Sequence, residues 1–141
     1  MRAQVLVTKR IFPEAIALLE QHADVDYEAT DEGLTPPALI ARARGKQVIV
    51  SQFTDSLRRD VLDQLPGLGL IANVAVGYDN IDLDAATERG ILVTNTPGIL
   101  TDTTADLAFA LLLAAARRIT EGHEYIHAGR WTRWTLSLIH I

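Results

Sequence analysis

The chain has no cysteine, which removes disulfide frameworks and thiolate zinc sites and fits a reducing compartment. Aromatic residues are scarce at 6%, so its core must be built from Ala, Leu, Ile and Val. Positive charge is outnumbered, with 13 Lys and Arg against 18 Asp and Glu for a net charge of −5. That is the wrong sign for a nucleic-acid partner, which asks for a basic face. The basic residues that do cluster are Arg42 and Arg44, Arg58 and Arg59, and Arg117 and Arg118, scattered pairs on helix surfaces. No charged-then-apolar signal segment precedes the first apolar run, Ala3 to Thr8. The longest apolar run, Ala105 to Ala116, includes Asp106 and falls short of the about 20 residues that cross a bilayer. These absences lead to the expectation of a cytoplasmic protein without membrane or nucleic-acid partners.

What is present is an alternation of short apolar runs and helical stripes. A hydrophobic share of 48% over 141 residues suits one α/β domain with a sizeable core. Strands are expected at Val5 to Val7, Val25 to Glu28, Val48 to Val50, Leu70 to Val76 and Ile91 to Val93. Helices are expected between them. Pro13 opens one through His22, with Ala15, Ile16, Leu18 and Leu19 on one face. Thr35-Pro36-Pro37 opens another to Arg44, closed by Gly45. Asp55 or Ser56 caps a third to Leu65, and a fourth runs from Asp82 to Arg89. Strands separated by helices, with no Asn-Gly hairpin signal, predict a parallel sheet covered on both faces. From Thr101 to about Ile119 the pattern becomes one long helix, apolar around most of its circumference. Such a helix must be buried against something larger than one sheet face. A further helical piece follows at Glu121 to Ala128.

Several residues could carry chemistry. Gly67-Leu68-Gly69-Leu70-Ile71-Ala72 has the spacing of a dinucleotide fingerprint, but it leaves a helix and enters a strand, the reverse of what that motif needs. It reads as a turn. In an open parallel sheet, ligands bind beyond the carboxyl ends of strands, which singles out Ala75-Val76-Gly77-Tyr78-Asp79-Asn80-Ile81-Asp82. A glycine there permits a backbone closed to other residues, letting the N–H groups of Val76 and Gly77 face a carboxylate. Equally, Gly77 makes only a turn and Asp79 or Asp82 only caps the next helix. Ser51-Gln52-Phe53-Thr54-Asp55 lies on the same rim, to touch a substrate or to start a helix. Thr94-Asn95-Thr96-Pro97-Gly98 is a hinge or a rigid connector. Thr101, Thr103 and Thr104 open the long helix, whose N-terminus favours anions; Thr101 is otherwise an N-cap. Among four histidines, His123 and His127 have a metal-compatible spacing but no third ligand, so no metal is expected.

The stretch NVAVGYDNIDLDAATERGILVTNTPGILTDTTADLAFALLLAAARR resembles the D-isomer-specific 2-hydroxyacid dehydrogenases, and within them the glyoxylate/hydroxypyruvate reductase branch. The likeness rests on Val76-Gly77-Tyr78-Asp79, on Asn95-Thr96-Pro97-Gly98 and on Leu100 to Asp106, and it covers residues 1 to about 135, including Gly129-Arg130-Trp131-Thr132-Arg133-Trp134. The resemblance implies a flavodoxin-like substrate-binding domain over 1–97. A linker helix and the start of a truncated NAD(P)-binding Rossmann domain would follow over 98–135. The tail 136–141, LSLIHI, resembles a translated sequencing adapter and is read as non-native. The resemblance further implies reduction of small 2-oxo acids to D-2-hydroxy acids with NAD or NADP, whose binding loop this chain lacks. The family's catalytic Arg, Glu and His are expected beyond the chain end, so no catalytic residue is assigned and the chain alone is expected to be inactive. Val76 and Gly77 are carried over as the substrate-carboxylate site and Thr104 as a cofactor-side contact. The full-length protein is expected to be a homodimer through the long helix. A phosphoglycerate- or lactate-type dehydrogenase and a stand-alone flavodoxin-like binding module are the alternatives; the second would need a self-contained core, against which the apolar helix argues.

Overall fold

The computed structural model describes residues 2–134; the tail 136–141 lies outside them. The chain divides into two compact units, Met1–Gly98 and Ile99–Ile141. In the first, five strands, β1 (Ala3–Val7), β2 (Ala23–Tyr27), β3 (Val48–Gln52), β4 (Leu70–Val74) and β5 (Leu92–Thr94), form one sheet in the order β2-β1-β3-β4-β5. All four pairings are parallel. This is the doubly wound, flavodoxin-like order, whose chain reversal falls between β1 and β3.

The helices α1 (Pro13–His22), α2 (Pro36–Ala43), α3 (Arg59–Leu62) and α4 (Leu83–Glu88) are the crossovers. Strand side chains alternate between faces, and the register aligns Leu6, Ile49 and Ile71 in one row. That row is fully buried against Leu39 and Ala43 of α2, Val61 and Leu62 of α3, and Ala85 and Ala86 of α4. The opposite face carries Val5, Val7 and Val50 against Ile16 of α1, with Leu19 alongside. Leu18 departs from the expected stripe: it is 59% exposed, because two residues past Ile16 is about 200° around a helix.

Local chemistry fixes the helix ends. Pro residues occupy the first turns of α1 and α2, where a missing N–H costs nothing. Gly45 follows α2 with φ +77°, the left-handed conformation that a helix terminus favours in glycine. The Asp82 carboxylate accepts from Ala85 N at 2.8 Å and so caps α4.

Three expectations are corrected here. The third helix neither starts at Asp55 or Ser56 nor reaches Leu65, but covers only Arg59–Leu62 with no side-chain cap. The reason is Leu57, whose backbone pairs with Asn80 and Asp82 through bonds of 2.9 and 3.0 Å; that extended bridge delays the helix. In the second unit the long helix ends early, as α5 (Thr101–Ala116), and α6 runs from Ile119 to His127. Arg118 separates them in the left-handed conformation, φ 51°, with its Nε donating to Glu121 at 2.6 Å. Thr101 is inside α5 and is not its N-cap, a position taken by Leu100 without a side-chain bond. No residue of α5 is buried; Leu107, Phe109, Leu111 and Leu112 are each at least 60% exposed. Among the described residues, no helix is long and apolar enough to cross a membrane.

At the sheet edge, Arg42 of α2 grips Asp26 of β2 and Glu28 just past that strand, with Nη2 to Asp26 Oδ1 at 2.5 Å and Nη1 to Glu28 Oε2 at 2.6 Å. Hydrogen bonding to Arg42 lowers the Asp26 pKa, and bonds from Thr30 and then Arg42 lower that of Glu28. Carboxylates depressed in the folded state add stability above their unfolded values, about 3.9 and 4.3, and lose it as pH falls through the folded ones. Arg42→Met should therefore be less stable than wild type in urea at pH 7, with the gap narrowing as pH falls below the unfolded carboxylate values. A gap that persists unchanged at pH 2 would contradict the ion-pair origin.

Candidate functional site

Toward the carboxyl edge of the sheet, the apolar row changes character. Two residues beyond Leu6, Ile49 and Ile71, on the same face, come Thr8, Ser51 and Asn73, which are 0%, 0% and 2% exposed. Burial of polar groups is tolerable only when each is hydrogen-bonded, and these are. Thr8 Oγ1 donates to Asp55 Oδ2 at 2.6 Å, and Ser51 Oγ donates to Asn73 Oδ1 at 3.0 Å. Asn73 and Asn80 exchange amide bonds, 3.2 Å from Asn73 Nδ2 to Asn80 Oδ1 and 3.3 Å in return. Asn80 Nδ2 also donates to the carbonyls of Gln52 and Asp55, at 3.1 and 3.0 Å. The layer thus binds the loop after β4 to the loop after β3. Among the described residues, no buried side-chain polar atom is left without a partner.

On top of this layer sits the loop 75–80. Strand β4 stops at Val74, two residues sooner than expected, so Val76 and Gly77 are outside the sheet ladder. Thr96 N donates to the Ala75 carbonyl at 2.9 Å, and Asn95 Nδ2 to the Val76 carbonyl at 2.8 Å. In a trans peptide the carbonyl and the following N–H point in opposite directions. Pinning those two carbonyls therefore fixes the Val76 and Gly77 N–H groups to face away from their anchors. Neither N–H has an acceptor among the described residues, and Val76 is 40% exposed. Two oriented donors on an exposed rim are what an organic anion requires.

Gly77 itself differs from expectation. It is not one of the glycines with positive φ, so its backbone is open to other residues. A Cβ built on it would meet only Asp79 Oδ2, at 3.9 Å. Neither strain nor crowding within the chain calls for glycine at this position.

The other candidates separate. Asp55 is 5% exposed and accepts from Thr8 and, at 2.8 Å, from Gln52 N; it caps no helix. Asp82 caps α4, while Asp79 is exposed. Gly67 and Gly69 lie between α3 and β4, at the amino end of the sheet, with Gly69 N bonded to Gln47 O at 2.9 Å. A cavity of about 390 Å³ lies at the chain reversal, lined by Arg10, Phe12, Pro13, Asp31, Gln52 and Val74. Its cation is engaged, because Arg10 reaches Asp31 at 3.0 Å and the Ala29 carbonyl at 2.9 Å. Thr104 lies in the first turn of α5, its N–H committed to Leu100 O at 2.9 Å. His123 and His127 stack edge to face at 4.2 Å, and the described residues contain no group of three or more metal-binding side chains.

The sequence did not single out Asn73 or Thr8, and it placed Asn80 and Asn95 within candidate loops without giving either side chain a role. The available signal was an asparagine inside an otherwise apolar strand, Leu70 to Val76, where a parallel sheet buries both faces.

Known proteins place this geometry. The model of the family described as "D-isomer specific 2-hydroxyacid dehydrogenase, catalytic domain" matches residues 5–129. A glyoxylate reductase of Korarchaeum cryptofilum is 44% identical over 131 residues, 93% of this chain and 40% of its own length. One from Aeropyrum pernix is 45% identical over 134 residues, 94% of this chain and 39% of its own length. The NADPH-dependent glyoxylate/hydroxypyruvate reductase of Sinorhizobium meliloti, in complex with NADP and malonate, superposes with a TM-score of 0.74. It is 32% identical over 94% of this chain and 40% of that one. The chain therefore spans about 40% of the length of the curated relatives it matches. With the family model covering 5–129 and the parallel sheet in flavodoxin-like order, the chain belongs to the D-isomer-specific 2-hydroxyacid dehydrogenases.

Proposed function

We propose that this chain is the substrate-side part of an NAD(P)-dependent reductase that converts 2-oxo acids such as glyoxylate or hydroxypyruvate to D-2-hydroxy acids. The observation that carries the reading is the pair of oriented, acceptor-free N–H groups at Val76 and Gly77. They would receive the substrate carboxylate, and the missing Cβ of Gly77 lets that anion come close to the backbone. The curated relatives named above as glyoxylate reductases support the substrate class.

The described residues do not fit a dinucleotide. A pyrophosphate needs a glycine-rich turn between a strand and a helix, and the only near match, Gly67 to Ala72, runs from helix to strand. We place the boundary of the substrate domain at 1–97 and read 98–135 as a linker helix and the beginning of a nucleotide domain. Thr104, on the exposed first turn of α5, is a cofactor-side contact in this reading. The unburied apolar surface of α5 is where a second lobe and a second copy of the full-length protein would pack.

Purified 141-residue chain should bind malonate, the acid held by the Sinorhizobium relative, with shifts of the Val76 and Gly77 amide resonances. Gly77→Ala should keep or slightly raise thermal stability, by up to about 1 kcal/mol, because its φ suits alanine. The same change should weaken malonate binding by about tenfold or more, the worth of one charge-assisted hydrogen bond. Equal malonate affinity in wild type and Gly77→Ala would refute the site. The chain alone should show no glyoxylate-dependent oxidation of NADH or NADPH in a spectrophotometric assay, and measurable turnover would show that the boundary is misplaced.

A further inference from the structure

Gly77 lies between two peptide planes, and a side-chain amide from a different part of the chain holds each one. The plane shared with Val76 is held by Asn95, through Nδ2 to the Val76 carbonyl at 2.8 Å. The plane shared with Tyr78 is held by Asn73, through Nδ2 to the Gly77 carbonyl at 3.0 Å. A peptide unit is rigid, so fixing the planes on both sides of a residue fixes its φ and ψ. Glycine has the most backbone freedom to lose, and Gly77 has no packing of its own to restrain it.

We propose that Asn73 and Asn95 are positioning residues that hold Gly77 in its anion-ready conformation before any ligand arrives. Asn73 suits this role because its amide is fully committed. Its Oδ1 accepts from Ser51 and Asn80, and its Nδ2 donates to Asn80 and Gly77. All four hydrogen-bonding positions of the side chain are used, so swinging the Nδ2 group away would break a buried network. Asn95 acts from just beyond β5, and among the described residues its side chain makes one bond, that to Val76. Together they reach Gly77 from the end of β5 and from within β4, two strands that pair directly. Ordering the loop in advance spares the ligand that entropic cost, the general advantage of preorganisation. The benefit to binding rests on Val76 and Gly77 being the anion site proposed above; the clamp on Gly77 does not.

The test is ¹⁵N relaxation and malonate titration of the 141-residue chain as wild type, Asn95→Ala, Asn73→Ala and Thr8→Val. In wild type the Gly77 N–H should have an order parameter near 0.85, the value of rigid backbone, and in either asparagine variant it should fall below about 0.6. Malonate affinity should fall about tenfold or more in both. Thr8→Val removes an equally buried polar group that bonds to Asp55 and not to this loop, so it should leave the Gly77 order parameter at the wild-type value. If Asn73→Ala does not fold, Asn95→Ala decides alone, since Asn95 is only half-buried. Folded Asn95→Ala with Gly77 as rigid as in wild type overturns the proposal, as does equal loss of order in Thr8→Val. Loss of order in the asparagine variants with no malonate response in wild type supports the clamp and overturns the anion reading instead.

Discussion

The carboxyl edge of the sheet depends on a layer of buried hydrogen bonds laid directly over the apolar core. Thr8, Ser51 and Asn73 continue the faces of β1, β3 and β4 past their last hydrophobic row, and each must be satisfied by a neighbour because water is excluded. That requirement is what draws the loops inward. Asp55 turns back to Thr8 and to Gln52 N, and Asn80 reaches across to the Gln52 and Asp55 carbonyls. An apolar layer there would leave those loops without directional anchors. Hydrogen bonds specify positions to a fraction of an ångström, whereas hydrophobic contact is non-directional.

The consequence is a rim on which backbone polarity is sorted. Carbonyls at Ala75, Val76 and Gly77 face anchors within the domain, at Thr96, Asn95 and Asn73 respectively. Their N–H partners across the peptide bonds are left for solvent or ligand. No side-chain charge is involved in that sorting, only three consecutive carbonyls held by partners within the domain. This suits a chain whose net charge is −5 and whose nearby Arg10 is already engaged by Asp31. The second unit presents the opposite situation, a helix with abundant apolar surface and no buried residue.

Much of the first unit could be read from residue order. The β-branched Val48-Ile49-Val50 run, the Pro13 and Pro36-Pro37 helix starts and the glycines after α2 and α4 each act within a few residues, and each element formed near its expected position. The resemblance to the 2-hydroxyacid dehydrogenases was likewise carried by contiguous motifs. Two of the departures in the first unit involved distant partners. The third helix shortened because Leu57 pairs with Ile81, 24 positions away. Strand β4 ended early because Ala75 bonds to Thr96 rather than to a neighbouring strand.

Local chemistry within the sequence determined that the first 98 residues alternate strand and helix, that their sheet is parallel, and that a glycine stands just beyond its fourth strand. Periodicity, proline and glycine act through neighbours in the chain, so order alone reveals them. Only the tertiary structure decided that Gly77 needs no special φ, that Asp55 is buried and not a helix cap, and that asparagines from β4, from the loop itself and from beyond β5 hold that loop. Those facts arise from hydrogen bonds between residues as far apart as 47 positions, as between Thr8 and Asp55, and such pairings exist only once the sheet has brought its strand ends together.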